Sequence, residues 1–484
     1  MDLREKIAHL YRRFGLGASY EEVEGAVPYG LEGTIVRLIE SSKPYEFEPG
    51  PYEFIWYNQV DPDAAAEYFR RWWMLRMLCS TDPVSDRMAL FWHGHFAVSS
   101  EKVMFGPMML EYLQAIQRYG CGSFRKLLGE MVKSPALLEY LDMPRSIKGR
   151  PNENLPRELM ELYTLGVGNY SEDDVREAAR ALTGWGYINV FFELPGSNRQ
   201  RIEESVRLDR PFTGFAPAMA MHDAGDKTFL GRKGNLTAEE VLDILAKHPA
   251  TAIHLAKKLW EYFAYPDPDE GALAPVVAAW VGNDGDIRKA LGAIARSPDF
   301  YSDRCVRQKV KSPVDYTLGL MRAAGVGPAT LALRQRPGTF EEPLPQLIHQ
   351  VLYSLLTSMD RQGQSLFRPS DPSGWKEGRG WATAGAMSER LGLRIPFNTP
   401  DKGDDAIIKR IRAFVADAKP KKGAEVLDRL CLLFDWMPTP ESRAVLERIW
   451  QGTPSVYLND LWQFYPRLTK TLNAVAAAPE THFC

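Results

Sequence analysis

Two histidines stand one residue apart in the run FWHGHF, at His93 and His95, and the apolar residues Met88, Ala89, Leu90, Ala97 and Val98 flank them. Burying two imidazoles costs free energy unless each ring nitrogen finds a partner. Either a metal ion or a set of buried hydrogen bonds is therefore expected. If a helix continues through the run, successive side chains turn by about 100° and the two rings point roughly 160° apart, so they cannot hold one ion together. If Gly94 breaks the helix and the chain runs extended, residues i and i+2 share a face and both rings can ligate one metal.

A carboxylate in an apolar setting is the second chemical signal. In PNENLPRELMELYTLGVG, Asn154 suits an N-cap, Pro156 is tolerated in the first turn, and Gly166 and Gly168 end the helix. On a wheel of about 100° per residue, Leu155, Leu159, Leu162 and Leu165 form the apolar stripe, and Glu158 falls inside it. Glu161 lies at its edge and Arg157 beyond. A buried glutamate needs a cation, a donor or a proton, so Glu158 is expected to be buried and either ion-paired or metal-bound. An internal ion pair that fixes helix register is the structural alternative. The third signal is HDAGDKTFLG, where His222 and Asp223 can act as metal ligands, as a base with its orienting carboxylate, or as a polar turn.

The elements that must carry these residues are mainly helical. SYEEVEGAV opens with Ser19 three residues before Glu22, a capping-box spacing, and Ser171 with Asp174 repeats the signature in SEDDVREAARALTGW. Residues 64–96 read as helical, with RRWWMLRML as a buried face. The exception is residues 187–235, where YINVFFEL and KTFLG alternate with Gly, Pro and Asn, a pattern of short strands and loops. The expectation is a mainly α, large multi-helix globular body with a small β/loop excursion. Residues 1–391 form its main helical domain, and residues 392–484 a C-terminal helical extension packed on it.

The 484 residues are 45% hydrophobic and 25% charged, enough for a large core. A net charge of −3 gives no basic footprint for nucleic acid or anionic lipid. The five scattered cysteines include no CxxC pair, so reduced thiols are expected rather than a disulfide framework or a zinc ribbon. The N-terminus lacks the apolar core of a signal peptide and no run is long enough to span a bilayer, which points to the cytoplasm. No GxSxG elbow, HExxH helix or nucleotide-binding glycine loop occurs.

Taken together and in order, YRRFGLG, MALFWHGHFAVS, SPALLEYLD, NENLPRELMELYTLGVGNYSEDDVREAARALTGW, HDAGDKTFLG, HPATAIHLAKKLWEYF, KVKSPVDYTLGLMRAAG and PSGWKEGRGWAT resemble the bacterial domain-of-unknown-function 1800 family, from about Leu10 to Leu391. The resemblance implies a large helical protein. Many such proteins are exported, and they are often encoded beside proteins of the domain-of-unknown-function 1501 family, which resemble sulfatases and alkaline phosphatases. The motif positions map onto His93, His95, Asn152, Glu153, Asn154, Arg157, Glu158, Glu161, His222 and Asp223. This chain departs from the pattern in lacking a leader, in having Leu155-Pro156 where an aromatic residue and an alanine are usual, and in a less proline-rich RPSDPSGW.

Two functional readings follow. The first is a metal-dependent hydrolase in which His93, His95, His222 and Glu158 converge on one zinc, manganese or iron ion, with Glu161, Asp223 and Arg157 as further catalytic groups. The second is a non-catalytic helical scaffold or accessory protein whose polar residues fix helix register.

Overall fold

The computed structural model describes residues 1–55, 61–339, 342–395 and 405–484. It is mainly α, as the periodicity implies, and the two antiparallel pairs Tyr187–Asn189 with Thr213–Phe215 and Lys227–Phe229 with Arg232–Gly234 fall inside the expected excursion. A helix, Asn198–Arg207, also interrupts that excursion.

Local signals set the helix boundaries. The Ser171 hydroxyl accepts from the Asp174 N–H while the Asp174 carboxylate accepts from the Ser171 N–H, a complete capping box that starts Glu172–Ala181. The pattern over residues 64–96 resolves into two helices, Ala65–Leu78 and Pro83–His95. Asp82 caps the second through the Ser85 N–H at 3.0 Å, and Pro83 occupies its first turn, where a missing N–H costs nothing.

One continuous apolar cluster joins Leu10 near the start of the chain to Ala478 near its end. Residues from the C-terminal part reach the first helix directly. Arg12 pairs with Asp435 at 2.8 Å, and Arg13 donates to the Cys484 carbonyl at 3.2 Å. Val310 and Phe483 form an isolated antiparallel bridge. All five cysteines are free thiols. Among the described residues no helix is long and apolar enough to cross a membrane.

Candidate functional site

The Pro83–His95 helix runs unbroken through Gly94, so the two histidines diverge. His93 is fully buried among rings, stacked on Trp375 at 4.9 Å between centroids and on Trp73 and Phe367 at 5.6 Å, with Tyr112 edge-on at 5.5 Å. Neither of its ring nitrogens has a hydrogen-bond partner among the described residues. Burial pushes its pKa down to about 3, which keeps the ring neutral. His95 faces the other way and donates from Nε2 to the Tyr163 carbonyl at 3.2 Å. Its pKa lies well below the usual value, chiefly through burial and then through Lys258 and His254.

Gly94 serves contact rather than chain breaking. A Cβ at Gly374, whose φ is +95°, would lie 2.1 Å from the Gly94 carbonyl oxygen, and the Trp375 ring lies over Gly94 itself. Two glycines thus let the PSGW loop rest on the helix backbone, and that contact delivers Trp375 to His93.

The Glu158 segment departs from the wheel. Asn154–Glu158 is α-helical, but Leu159–Tyr163 widens into a π-helix, closed by the Thr164 hydroxyl on the Leu159 carbonyl at 2.6 Å and the Gly166 N–H on the Met160 carbonyl at 3.0 Å. The wider turn carries Met160 and Tyr163 into the core and leaves Leu162 only half-buried. Glu158, expected to be buried and ion-paired or metal-bound, is instead half-buried. Among the described residues its carboxylate has no hydrogen-bond or ion-pair partner. Its neighbour Arg157 turns outward to Glu172 at 2.7 Å and Glu153 at 3.3 Å.

Desolvation, then the like charge of Glu161, push the Glu158 carboxyl above its usual value, and Arg157 offsets this in part. Glu161 accepts from the Tyr170 hydroxyl at 3.0 Å. The field of Glu158 also reaches two phenols. Tyr163, whose buried hydroxyl has no partner among the described residues, is held protonated by burial and then by Glu158. Tyr140 is raised by burial, then by Asp371 and Glu158.

The HDAGDKTFLG residues form a clamp. Asp223 accepts from Arg180 Nε at 2.8 Å and from the Gly225 N–H at 2.9 Å, and Arg180 first and then that backbone bond lower its pKa to about 2. The sequence gives no hint of this pairing, because Arg180 faces away from its own helix's apolar side. His222 donates from Nδ1 to the Thr183 carbonyl at 3.2 Å, and the Asp223 N–H donates to the Thr183 hydroxyl at 2.8 Å. The buried Lys227 donates to the Asp223 and Gly225 carbonyls at 2.6 and 3.0 Å.

Among the described residues no three His, Cys, Asp or Glu side chains come together as metal ligands. His93, His95, His222 and Glu158 therefore do not form the shared ligand set expected from the sequence. The arrangement that remains is a half-exposed, protonation-prone carboxyl at a π-helical turn, with a second carboxyl beside it and two phenols in its field.

Sequence reasoning passed over His254 and Lys258. They stand one turn apart on the Pro249–Phe263 helix, a spacing that marks a shared face. His254 donates from Nε2 to the Leu162 carbonyl at 3.2 Å and so ties that helix to the Glu158 turn.

Neither a curated protein nor a solved structure matches the chain. The profile of one protein family, described as a protein of unknown function (DUF1800), matches residues 9–480 and so extends the resemblance beyond Leu391 into the C-terminal part. Nearly the whole chain is covered, and it belongs to the DUF1800 family.

Proposed function

We propose that the protein is a hydrolase whose general acid–base group is Glu158. The observation that carries this reading is a half-exposed carboxyl with a raised pKa that has no hydrogen-bond or ion-pair partner among the described residues. A carboxyl whose proton affinity is raised is suited to take a proton from an attacking water and return it to a leaving group. Glu161 contributes by keeping the Glu158 proton affinity high. The five free thiols fit a reducing compartment, in keeping with the cytoplasm.

A second reading rests on a separate observation. His93, His222, Asp223 and Arg157 all engage internal packing or ion pairs, which suits an accessory scaffold for a sulfatase- or phosphatase-like partner.

One experiment separates the two. Purified protein is assayed against a panel of p-nitrophenyl esters, phosphates, sulfates and glycosides, alongside Glu158→Gln. The hydrolase reading expects turnover of one substrate class and a loss of about 10²-fold or more in Glu158→Gln at an unchanged melting temperature. Absence of turnover across the panel, or an unaffected variant, overturns it in favour of the scaffold.

A further inference from the structure

Two segments that the Glu158 site leaves unused, YRRFGLG and KVKSPVDYTLGLMRAAG, meet at a partly open cavity of about 60 Å³ where the C-terminal part packs on the first helix. The Leu3–Phe14, Pro313–Ala324 and Leu461–Ala477 helices all contribute to its walls. Gly17, at φ +101°, lies so close to the second segment that a Cβ there would stand 2.8 Å from the Gly319 Cα. A larger residue at Gly17 would therefore push the two segments apart. Arg307 and Asp435, both in the lining, hold left-handed backbone at φ +54° and +48°, and their side chains join at 3.0 Å. Such backbone persists at non-glycine residues where the surrounding contacts over-determine it.

The charges that line the cavity are engaged within the protein, with one exception. Asp435 accepts from Arg12 at 2.8 Å as well as from Arg307, and Glu5 accepts from the other end of Arg12 at 2.6 Å. Asp315 pairs with Arg87 at 2.5 Å, and Glu480 accepts from the Thr439 N–H at 3.1 Å. Lys311 is half-buried, and its ammonium has no hydrogen-bond or ion-pair partner among the described residues. Burial lowers the proton affinity of this amine, and Arg307 and Arg12 add to the effect against the pull of Cys484 and Asp435. A covered ammonium without a counter-ion is costly, and an anion in the cavity would offset that cost.

We propose that this cavity binds a small monocarboxylate, with its oxygens on the Lys311 ammonium and its carbon end against Leu320, Leu472 and Val475. The site lies apart from Glu158 and does not depend on the hydrolase reading. One unmatched cation calls for one negative charge. A dianion such as phosphate would face the carboxylates of Asp315, Asp435 and Glu480 with a single free ammonium to offset them. The apolar side chains on one wall suit a ligand with a hydrocarbon end. The volume holds about four water-sized groups, the size of acetate, and the open side accommodates the further carbon of propionate. Because the walls come from the first helix, the middle of the chain and the C-terminal part, an occupied cavity ties these regions together and stabilises the folded chain by mass action.

The test titrates the full chain with sodium propionate at pH 7 and constant ionic strength, followed by saturation-transfer NMR of the ligand and by melting temperature. Wild type is expected to bind propionate with a Kd on the order of 1 mM or tighter and to melt at a higher temperature when it is bound. Propionamide, the same shape without the charge, is expected to bind about ten-fold more weakly or worse. Lys311→Met keeps the apolar stem, removes the charge and is expected to weaken propionate binding by about ten-fold or more. The contrast between propionate and propionamide is read on wild type, so it decides the matter even where the Met variant does not fold. No saturable propionate binding to wild type below about 20 mM overturns the site, as does propionamide or phosphate binding as tightly as propionate, or an unchanged affinity in folded Lys311→Met.

Discussion

Among the described residues, His93 and Glu158 both present polar atoms without a hydrogen-bond partner, yet the fold treats them in opposite ways. The imidazole is sealed among Trp73, Phe367 and Trp375, fully buried and neutral. The carboxyl sits at the edge of a π-helical turn, half-exposed and inclined to hold its proton. An unsatisfied group that water cannot reach becomes a packing element. One that water can reach stays titratable, and only the second kind can exchange protons with a substrate. The residue type that looks most like a ligand in the sequence is thus the less reactive of the two.

The largest expected effect lies on the sealed side. Replacing His93 by Ala should leave a cavity inside the ring cluster and cost about 3–5 kcal/mol, read by urea denaturation. His93→Phe keeps the stacking and removes two unpartnered nitrogens, so its stability should stay within about 1.5 kcal/mol of wild type. If Phe costs as much as Ala, the imidazole has a polar role that the contrast denies.

Asp223 supplies a carboxylate of the opposite kind, lowered by Arg180. Its contribution to stability is fully present above the usual Asp range and is lost as pH falls through its folded value of about 2. Asp223→Ala should therefore cost on the order of 1–2 kcal/mol at pH 7, discounted for nearby solvent, and the difference from wild type should vanish near pH 2. Glu158 has the reverse sign. Because its folded pKa is raised, its contribution is fully present below the usual Glu range and is lost as pH rises through the folded value. Glu158→Gln should match wild type below about pH 4 and gain up to about 0.5 kcal/mol at pH 7. A loss of several kcal/mol would reveal a buried cation paired with it.

Arg157 is likewise expected to matter little for stability. Its guanidinium is spent on the exposed Glu172 and on Glu153, and Arg157→Ala should change stability by less than about 1 kcal/mol.

The sequence conveyed the helical body, the Ser171 capping box and the short strands because those depend on neighbours within a few residues. It also singled out Glu158. What it could not convey is the change of helical period after Glu158, since a 100° wheel assumes i→i+4 bonding throughout and the π-turn abandons it. Gly94 read as a potential breaker because its partner Gly374 is far along the chain. The Arg180–Asp223 pair is likewise tertiary, set by how helices and loops pack and not by any local pattern.

The central claim is that Glu158 holds its proton more tightly than an ordinary glutamate. Carbon-13 NMR titration of the side-chain carboxyls, with Glu158 assigned by its absence in Glu158→Gln, measures this directly. The account expects a midpoint clearly above the ordinary value of about 4.3, moving down in Glu161→Gln as the like charge is removed. A Glu158 midpoint at or below about 4.3 would contradict it, because a neutralising partner would then have to be present.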